Sequence, residues 1–210
     1  EITVFDTTSD RVPISVRGHH VVISAVDARA QRSVVEVFEL SNDSSVTRIA
    51  ANERPESATW GTHLPPAATN FRVTQGDIPT DAVAFANGRV NVFAPLAPGV
   101  KQVAFSYSVP ASSFPLRMPL QARTDVYEVL IEDETGSVTG PKIREMDPVT
   151  VEARSFRRFL ASDIPQNSVT VIDLPPAAAT SGIDPRYMVA LTLLIGGAMI
   201  LALARALRRR

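Results

Sequence analysis

The chain has 210 residues, of which 45% are hydrophobic, and this composition is ordinary for a protein that buries a core. Its formal net charge of -1 conceals an asymmetry, because five arginines and no acidic residue follow Asp184, which leaves 16 basic and 22 acidic residues in the chain up to and including Asp184. An acidic body without a clustered basic surface does not fit a nucleic-acid-binding protein, and the absence of cysteine excludes disulfides and thiolate metal sites.

Eight segments of the body have the alternating, β-branched character that is typical of strands. They comprise residues 19–25, 33–41, 70–75, 81–94, 100–109, 124–133, 148–153 and 167–174. Before Tyr187, no segment has a convincing helical period. The pair Asn87 and Gly88 interrupts one alternating segment and predicts a type I′ turn, since both central residues of that turn need positive φ.

Many short strands separated by proline and glycine predict an all-β fold, an antiparallel immunoglobulin-like β-sandwich. Pro110, Pro115 and Pro119 lie close together and indicate a boundary between a β-sandwich module (residues 1–120) and a second, smaller β module (residues 121–174). One larger sandwich is the alternative. Residues 175–186 are rich in proline and alanine and predict a semi-extended linker.

The longest apolar segment, residues 187–207, predicts one transmembrane α-helix at the carboxyl end. Its length, at about 1.5 Å per residue, matches the roughly 30 Å hydrocarbon core of a bilayer. Residues suited to the membrane interface flank it: Arg186, Tyr187, Arg205, Arg208, Arg209 and Arg210. Because positive charge stays on the cytoplasmic side, we expect a cytoplasmic arginine tail (residues 208–210) and a periplasmic body on a bacterial inner membrane. Export of the body implies a removed signal peptide.

Small residues recur within this predicted helix and define a candidate packing face. They are Thr192, Gly196, Gly197, Ala198, Ala202 and Ala206. Because lipid provides no hydrophobic reason for helices to associate, small residues that allow close approach favour contact with a partner helix. The alternative is that alanine and glycine are simply frequent in membrane helices.

The sequence contains no recognisable catalytic or metal-binding motif. His19 and His20 are neighbours on a predicted strand and therefore point to opposite faces, and His63 stands alone. The acidic residues 132–134 are interpreted as a solvated turn rather than a cation site. We therefore expect a protein that is not an enzyme and has no cofactor.

Two further features are candidates for partner contact. One is the group Phe156, Arg157, Arg158 and Phe159, which fits an acidic or aromatic partner surface. The favoured alternative is an edge strand with both arginines pointing outward. The other is Trp60, the only tryptophan, for which a place in the core is favoured over a role as a binding anchor.

The order of β-sandwich, Pro/Ala-rich linker, single helix and arginine-rich end resembles bacterial membrane-anchored proteins with immunoglobulin-like or fibronectin type III-like folds. The runs GHHVVISAV, APLAPGVKQVAFSYSVP and VTVIDLPP carry this resemblance. More narrowly, the chain resembles single-helix accessory subunits that connect a photosynthetic reaction centre to its light-harvesting ring.

The resemblance implies integral membrane protein partners and no pigment ligand on this chain, whose predicted helix lacks histidine. A non-catalytic subunit that braces a membrane complex is the resulting functional hypothesis. The alternative is a tethered extracytoplasmic module that binds glycan or peptide.

Overall fold

The structure, a computed structural model, describes residues 4–74, 76–151 and 153–176, and these residues form a fold made mostly of β-strands. The strands are β1 (Thr7–Thr8), β2 (Ile14–Ile23), β3 (Gln31–Asn42), β4 (Thr47–Arg48), β5 (Trp60–His63), β6 (Thr69–Val73), β7 (Val83–Ala86), β8 (Arg89–Val92), β9 (Gly99–Pro110), β10 (Leu116–Leu120), β11 (Thr124–Ile131), β12 (Ser137–Thr139), β13 (Arg144–Val151), β14 (Arg154–Ile164) and β15 (Ser168–Asp173). Short 3₁₀ helices cover Pro55–Ser57, Thr80–Ala82 and Ala111–Ser113.

The prediction of a β-rich body is confirmed, since each of the eight alternating segments overlaps at least one strand. The predicted turn at Asn87 and Gly88 is also confirmed. It joins β7 to β8, and the two residues have φ values of 53° and 72°. The eight segments overlap nine of the fifteen described strands, and local patterning also identified the two-residue connection between β7 and β8.

A seven-stranded sheet with the order β13-β14-β11-β2-β3-β9-β6 forms the centre of the fold. Its pairs are antiparallel except β2 with β11, which are parallel, so the sheet is mixed and not purely antiparallel as predicted. Strand β3 pairs with β9 along its whole length, from Gln31 opposite Pro110 to Asn42 opposite Gly99.

Two three-stranded antiparallel sheets, β10-β15-β12 and β5-β8-β7, contribute to the same core as one face of the large sheet. Val21 and Phe105 of the large sheet, Val92 of β8 and Ile172 of β15 belong to one buried cluster. The result is a sandwich-like arrangement, in which inward residues of facing sheets exclude water from a shared core.

The predicted boundary near residue 120 lies inside this arrangement. Strand β11 pairs with β2 over seven residue pairs, and β15 pairs with β10, so strands on both sides of the boundary share sheets and one core. One of the prolines that suggested this boundary, Pro119, lies in β10 at the edge of its sheet, where a missing backbone donor costs little.

The opposite face of the large sheet carries a second, smaller hydrophobic cluster. Its members are Val22, Val35, Val37, Ala104, Leu130 and Phe156. Val21 and Val22 belong to different clusters because successive side chains of a strand point to opposite faces. The central strands thus bury apolar side chains on both faces.

Within the described residues, no helix is long and apolar enough to cross a membrane. Of the predicted linker only Pro175 and Pro176 are described, and the predicted transmembrane helix (residues 187–207) and tail (residues 208–210) lie outside the described residues.

Candidate functional site

A buried arginine, Arg32, binds the backbone of Pro175, two residues after the last described strand ends. The guanidinium of Arg32, at the start of β3, donates to the carbonyl oxygens of Ser24 (3.0 Å) and Pro175 (2.9 Å) and to the Asp133 carboxylate (2.8 Å). Its side chain is 0% exposed and lies over the ring of Phe114, 5.5 Å from the centroid. A charged side chain this deeply buried needs such partners, and one of them is the backbone of Pro175.

The electrostatics of this contact favour the charged pair. Burial by itself would raise the pKa of Asp133, but the hydrogen bonds from Arg32 and Thr135 outweigh it, and the pKa lies below its ordinary value. The neighbouring Glu132 accepts a hydrogen bond from the backbone of Ala25 and pairs with Arg154 at 2.5 Å. Asp133 thus pairs with Arg32 and Glu132 with Arg154 inside the fold, whereas the sequence suggested a solvated turn.

The predicted partner-contact group on β14 is engaged within the fold. Phe156 and Phe159 are buried in different clusters, on opposite faces of the sheet. Arg157 binds the Glu145 carboxylate through two nitrogens, at 2.7 and 2.9 Å, and also contacts the carbonyl oxygen of Gly136. Arg158 donates to Glu128 at 2.6 Å. Strand β14 lies between β13 and β11, so it is not the edge strand of the alternative interpretation either.

The two adjacent histidines point to opposite faces, as predicted, and each meets a buried glutamate. His19 Nε2 lies 2.6 Å from Glu36 Oε2, and Glu36 Oε1 accepts a 2.7 Å hydrogen bond from the hydroxyl of Tyr107. Burial, and then the charge of Glu36, raise the pKa of Tyr107 well above its ordinary value. The phenol therefore stays protonated and donates to the carboxylate, which leaves the polar atoms of this core network paired.

On the other face, His20 Nδ1 lies 2.7 Å from Glu128 Oε2, whose second oxygen accepts from Arg158. Burial alone would raise the pKa of Glu128, but hydrogen bonds and charges from His20 and Arg158 outweigh this effect and lower it. In each pair the glutamate has two partners, so both histidine–glutamate contacts are part of hydrogen-bonded networks within the fold.

The lowered pKa of Glu128 predicts an acid-sensitive contribution to stability. A carboxylate with a depressed pKa in the folded state stabilises fully above its ordinary pKa of 4.5 and loses this effect as the pH falls through the folded value. We expect Glu128→Gln to lower the free energy of unfolding by about 2 kcal/mol at neutral pH. The difference from wild type should shrink progressively below the ordinary pKa.

Urea unfolding of wild type and Glu128→Gln across this pH range measures the effect. Glu134→Gln, a change of an exposed side chain in a turn, is the control and should follow the wild-type curve. A difference between wild type and Glu128→Gln that is constant with pH would contradict the proposed ionisation.

A cavity of about 590 Å³ is lined by three arginines and Trp60. Arg11 precedes β2, Arg48 ends β4 and Arg89 begins β8, so residues far apart in sequence meet at this end of the fold. Arg48 donates to the carbonyl oxygens of Val12 and Ala58, at 3.1 Å each. The cavity wall therefore has a fixed cationic group beside an aromatic ring.

Trp60 lies between the core and this cavity. Its ring packs against Phe38 at 4.8 Å between centroids, while the residue remains half-buried and lines the cavity. From the sequence, a place in the core and a role as a binding anchor were alternatives for Trp60. In the structure its ring packs against the core and also lines the cavity. The three arginines were not predicted as a group, because nothing in their spacing indicates that they converge.

Among the described residues, no group of histidine and acidic side chains is arranged to hold a metal ion. The predicted helix-packing residues (Thr192, Gly196, Gly197, Ala198, Ala202 and Ala206) and membrane-interface residues (Arg186, Tyr187, Arg205, Arg208, Arg209 and Arg210) lie outside the described residues. No protein-family model matches the chain, and no curated protein matches it significantly.

Proposed function

We propose that this protein is a non-catalytic, single-pass subunit of a bacterial inner membrane complex. In this proposal the periplasmic body is an immunoglobulin-like β-sandwich that braces neighbouring integral membrane subunits, and the apolar segment 187–207 anchors it in the bilayer. The narrower form, in which the complex joins a photosynthetic reaction centre to its light-harvesting ring, rests on the resemblance of the sequence alone.

The observation that supports a brace is the contact between Arg32 and Pro175. A freely tethered module does not need a fixed connection between its body and its anchor. A body that braces neighbouring subunits does, because the anchor can orient it only if the connecting segment is attached firmly to the fold. The buried guanidinium ties Pro175 to β3 and to Asp133, at the start of the predicted linker. The position of Pro175 relative to β3 and Asp133 is therefore restrained, as a brace would require.

The experiment is extraction of native membranes with a mild detergent, followed by mass spectrometry of the proteins that co-purify with the chain. We expect integral membrane subunits in a constant ratio to it. Migration of the chain alone as a monomer would contradict the proposal.

Replacing Gly196, Gly197, Ala198 and Ala202 together by leucine is expected to reduce recovery of the complex about tenfold. This corresponds to about 1.4 kcal/mol of association free energy, because bulky side chains prevent close helix approach. The matched control introduces four leucines at positions that are already large: Val189, Ile195, Met199 and Ile200. Equal recovery of both variants, at equal membrane content, would remove the helix-packing part of the proposal.

A tethered module that binds glycan or peptide is the second candidate, and the cavity beside Trp60 favours it. A fragment of residues 1–176 would then bind its ligand as well as the full chain does. A brace depends on the anchor, so under the first proposal the same fragment would lose its partners.

A further inference from the structure

We infer that the cavity lined by Arg11, Arg48, Arg89 and Trp60 binds an acidic peptide segment of a partner protein. The inference rests on the proposed function, in which the body contacts other subunits, and it names the chemistry of one such contact. The site is an open cleft, and its volume of about 590 Å³ lies within the range of ligand-binding clefts.

The charge of the cavity wall is strongly one-sided. Three arginines line it against one acidic residue, Glu56. Within the part of the chain that the structure describes, none of the three arginines forms a salt bridge with an acidic side chain. The cavity therefore presents cationic groups whose charges the described fold leaves without a carboxylate.

Arg48 is held in a fixed position in the cavity wall. Two of its nitrogens bind the carbonyl oxygens of Val12 and Ala58, while its Nε atom is buried and has no partner among the described residues. Burial, and then the nearby charge of Arg11, lower the pKa of Arg48. A carboxylate bound in the cavity would counter the repulsion between Arg11 and Arg48, since it supplies opposite charge at short range.

The apolar part of the wall distinguishes a peptide from a free anion. Ile14 and Trp60 lie beside the arginines, and Phe38 supports the indole ring from the core side. An inorganic anion contacts only the guanidinium groups. An acidic residue next to an aromatic or aliphatic one contacts both kinds of wall, and arginine with tryptophan is the combination that dominates many protein interfaces.

Trp60 is the only tryptophan of the chain, so intrinsic fluorescence reports on this cavity directly. The test titrates the full chain, in lipid nanodiscs, with the capped peptide acetyl-Asp-Phe-Glu-amide and with its neutral counterpart acetyl-Asn-Phe-Gln-amide. We expect a saturable fluorescence change with the acidic peptide and at least about fivefold weaker binding of the neutral one.

Arg11→Gln and Arg89→Gln should each weaken binding of the acidic peptide about fivefold, because each removes one cationic group of the wall. Arg29→Gln, a change of an exposed arginine in the turn before β3, is the matched control and should bind as wild type does. Arg48 is left intact because it also holds the two segments that contain Val12 and Ala58.

Three results would overturn the inference: equal binding of the two peptides, wild-type affinity of Arg11→Gln and Arg89→Gln, or the same fluorescence change with inorganic phosphate at equal concentration. Co-purification of the two variants separates this inference from the proposed function. If a variant binds no acidic peptide but integral membrane subunits still co-purify with it, the proposed function stands. The cavity is then not one of the contacts between the body and those subunits.

Discussion

Replacing Arg32 with methionine is expected to lower the free energy of unfolding by about 3 kcal/mol and to loosen the exit of the chain from the fold. The change removes the guanidinium from the half-buried Asp133 carboxylate, which keeps only its hydrogen bonds from Thr135, and from the carbonyl oxygens of Ser24 and Pro175. An unpaired group in a site with little access to water retains its full desolvation cost, so the loss exceeds that of an ordinary hydrogen bond.

Two measurements separate stability from restraint. Urea unfolding gives the free energy, and a spin label on Pro176→Cys, in a chain that otherwise lacks cysteine, gives the local mobility. Arg29→Met is the matched control, since Arg29 is exposed and three residues earlier, and we expect it to change neither quantity. An Arg32→Met chain with wild-type stability and an immobile label would show that this contact does not fix the exit point.

Replacing Glu36 with leucine is expected to lower the free energy of unfolding by about 4 kcal/mol. Glu36 is the common acceptor for His19 and Tyr107 in the main core, and its loss leaves both without a partner. The hydrophobic leucine fills the space but offers no oxygen. Removing one member of a buried hydrogen-bond network lowers the free energy of unfolding more than replacing the whole network by apolar side chains, because the remaining members stay buried without a partner.

A double-mutant cycle measures this coupling. Tyr107→Phe alone should lower the free energy of unfolding by about 1 kcal/mol. In the Glu36→Leu background the same change should lower it by less, since the Tyr107 hydroxyl has already lost its acceptor. Glu39→Leu is the matched control on the same strand: Glu39 is bound by a side chain only at Gln102, and we expect a smaller loss. Additive effects of Glu36→Leu and Tyr107→Phe would contradict a shared network.

The elements of the fold that were predicted are those whose signal is local. Alternation of apolar residues identified β3, β9 and β11, and the Asn87-Gly88 pair identified the β7–β8 turn, because both depend only on residues near each other in the chain. Short strands such as β12 escaped, since three residues are too few to establish a period. Strand β10 escaped because its proline suggested a boundary.

The buried histidine–glutamate pairs were partly indicated by the sequence. Glu36 and Glu39 interrupt a run that is apolar on both faces, and the histidines interrupt a neighbouring one. A charged residue within such a run indicates a buried partner, but it does not identify it. His20 and Glu128 are 108 residues apart, and only the parallel register of β2 with β11 brings them together.

The predicted contact group on β14 illustrates the opposite limit. Two phenylalanines around two arginines have the composition of an interface, yet the neighbouring strands bury the rings and occupy both guanidinium groups. Composition alone does not distinguish a side chain that awaits a partner protein from one that is already paired within its own sheet.

The sequence by itself located most of the longer strands and the Asn87-Gly88 turn, and it predicts the carboxyl-terminal anchor, because each is a property of a continuous stretch of chain. Tertiary structure decided that the body shares one large mixed sheet, that Arg32 holds Pro175, and that Arg11, Arg48 and Arg89 meet beside Trp60. These contacts depend on strand order and register, which are set by long-range packing, and local periodicity carries no information about either.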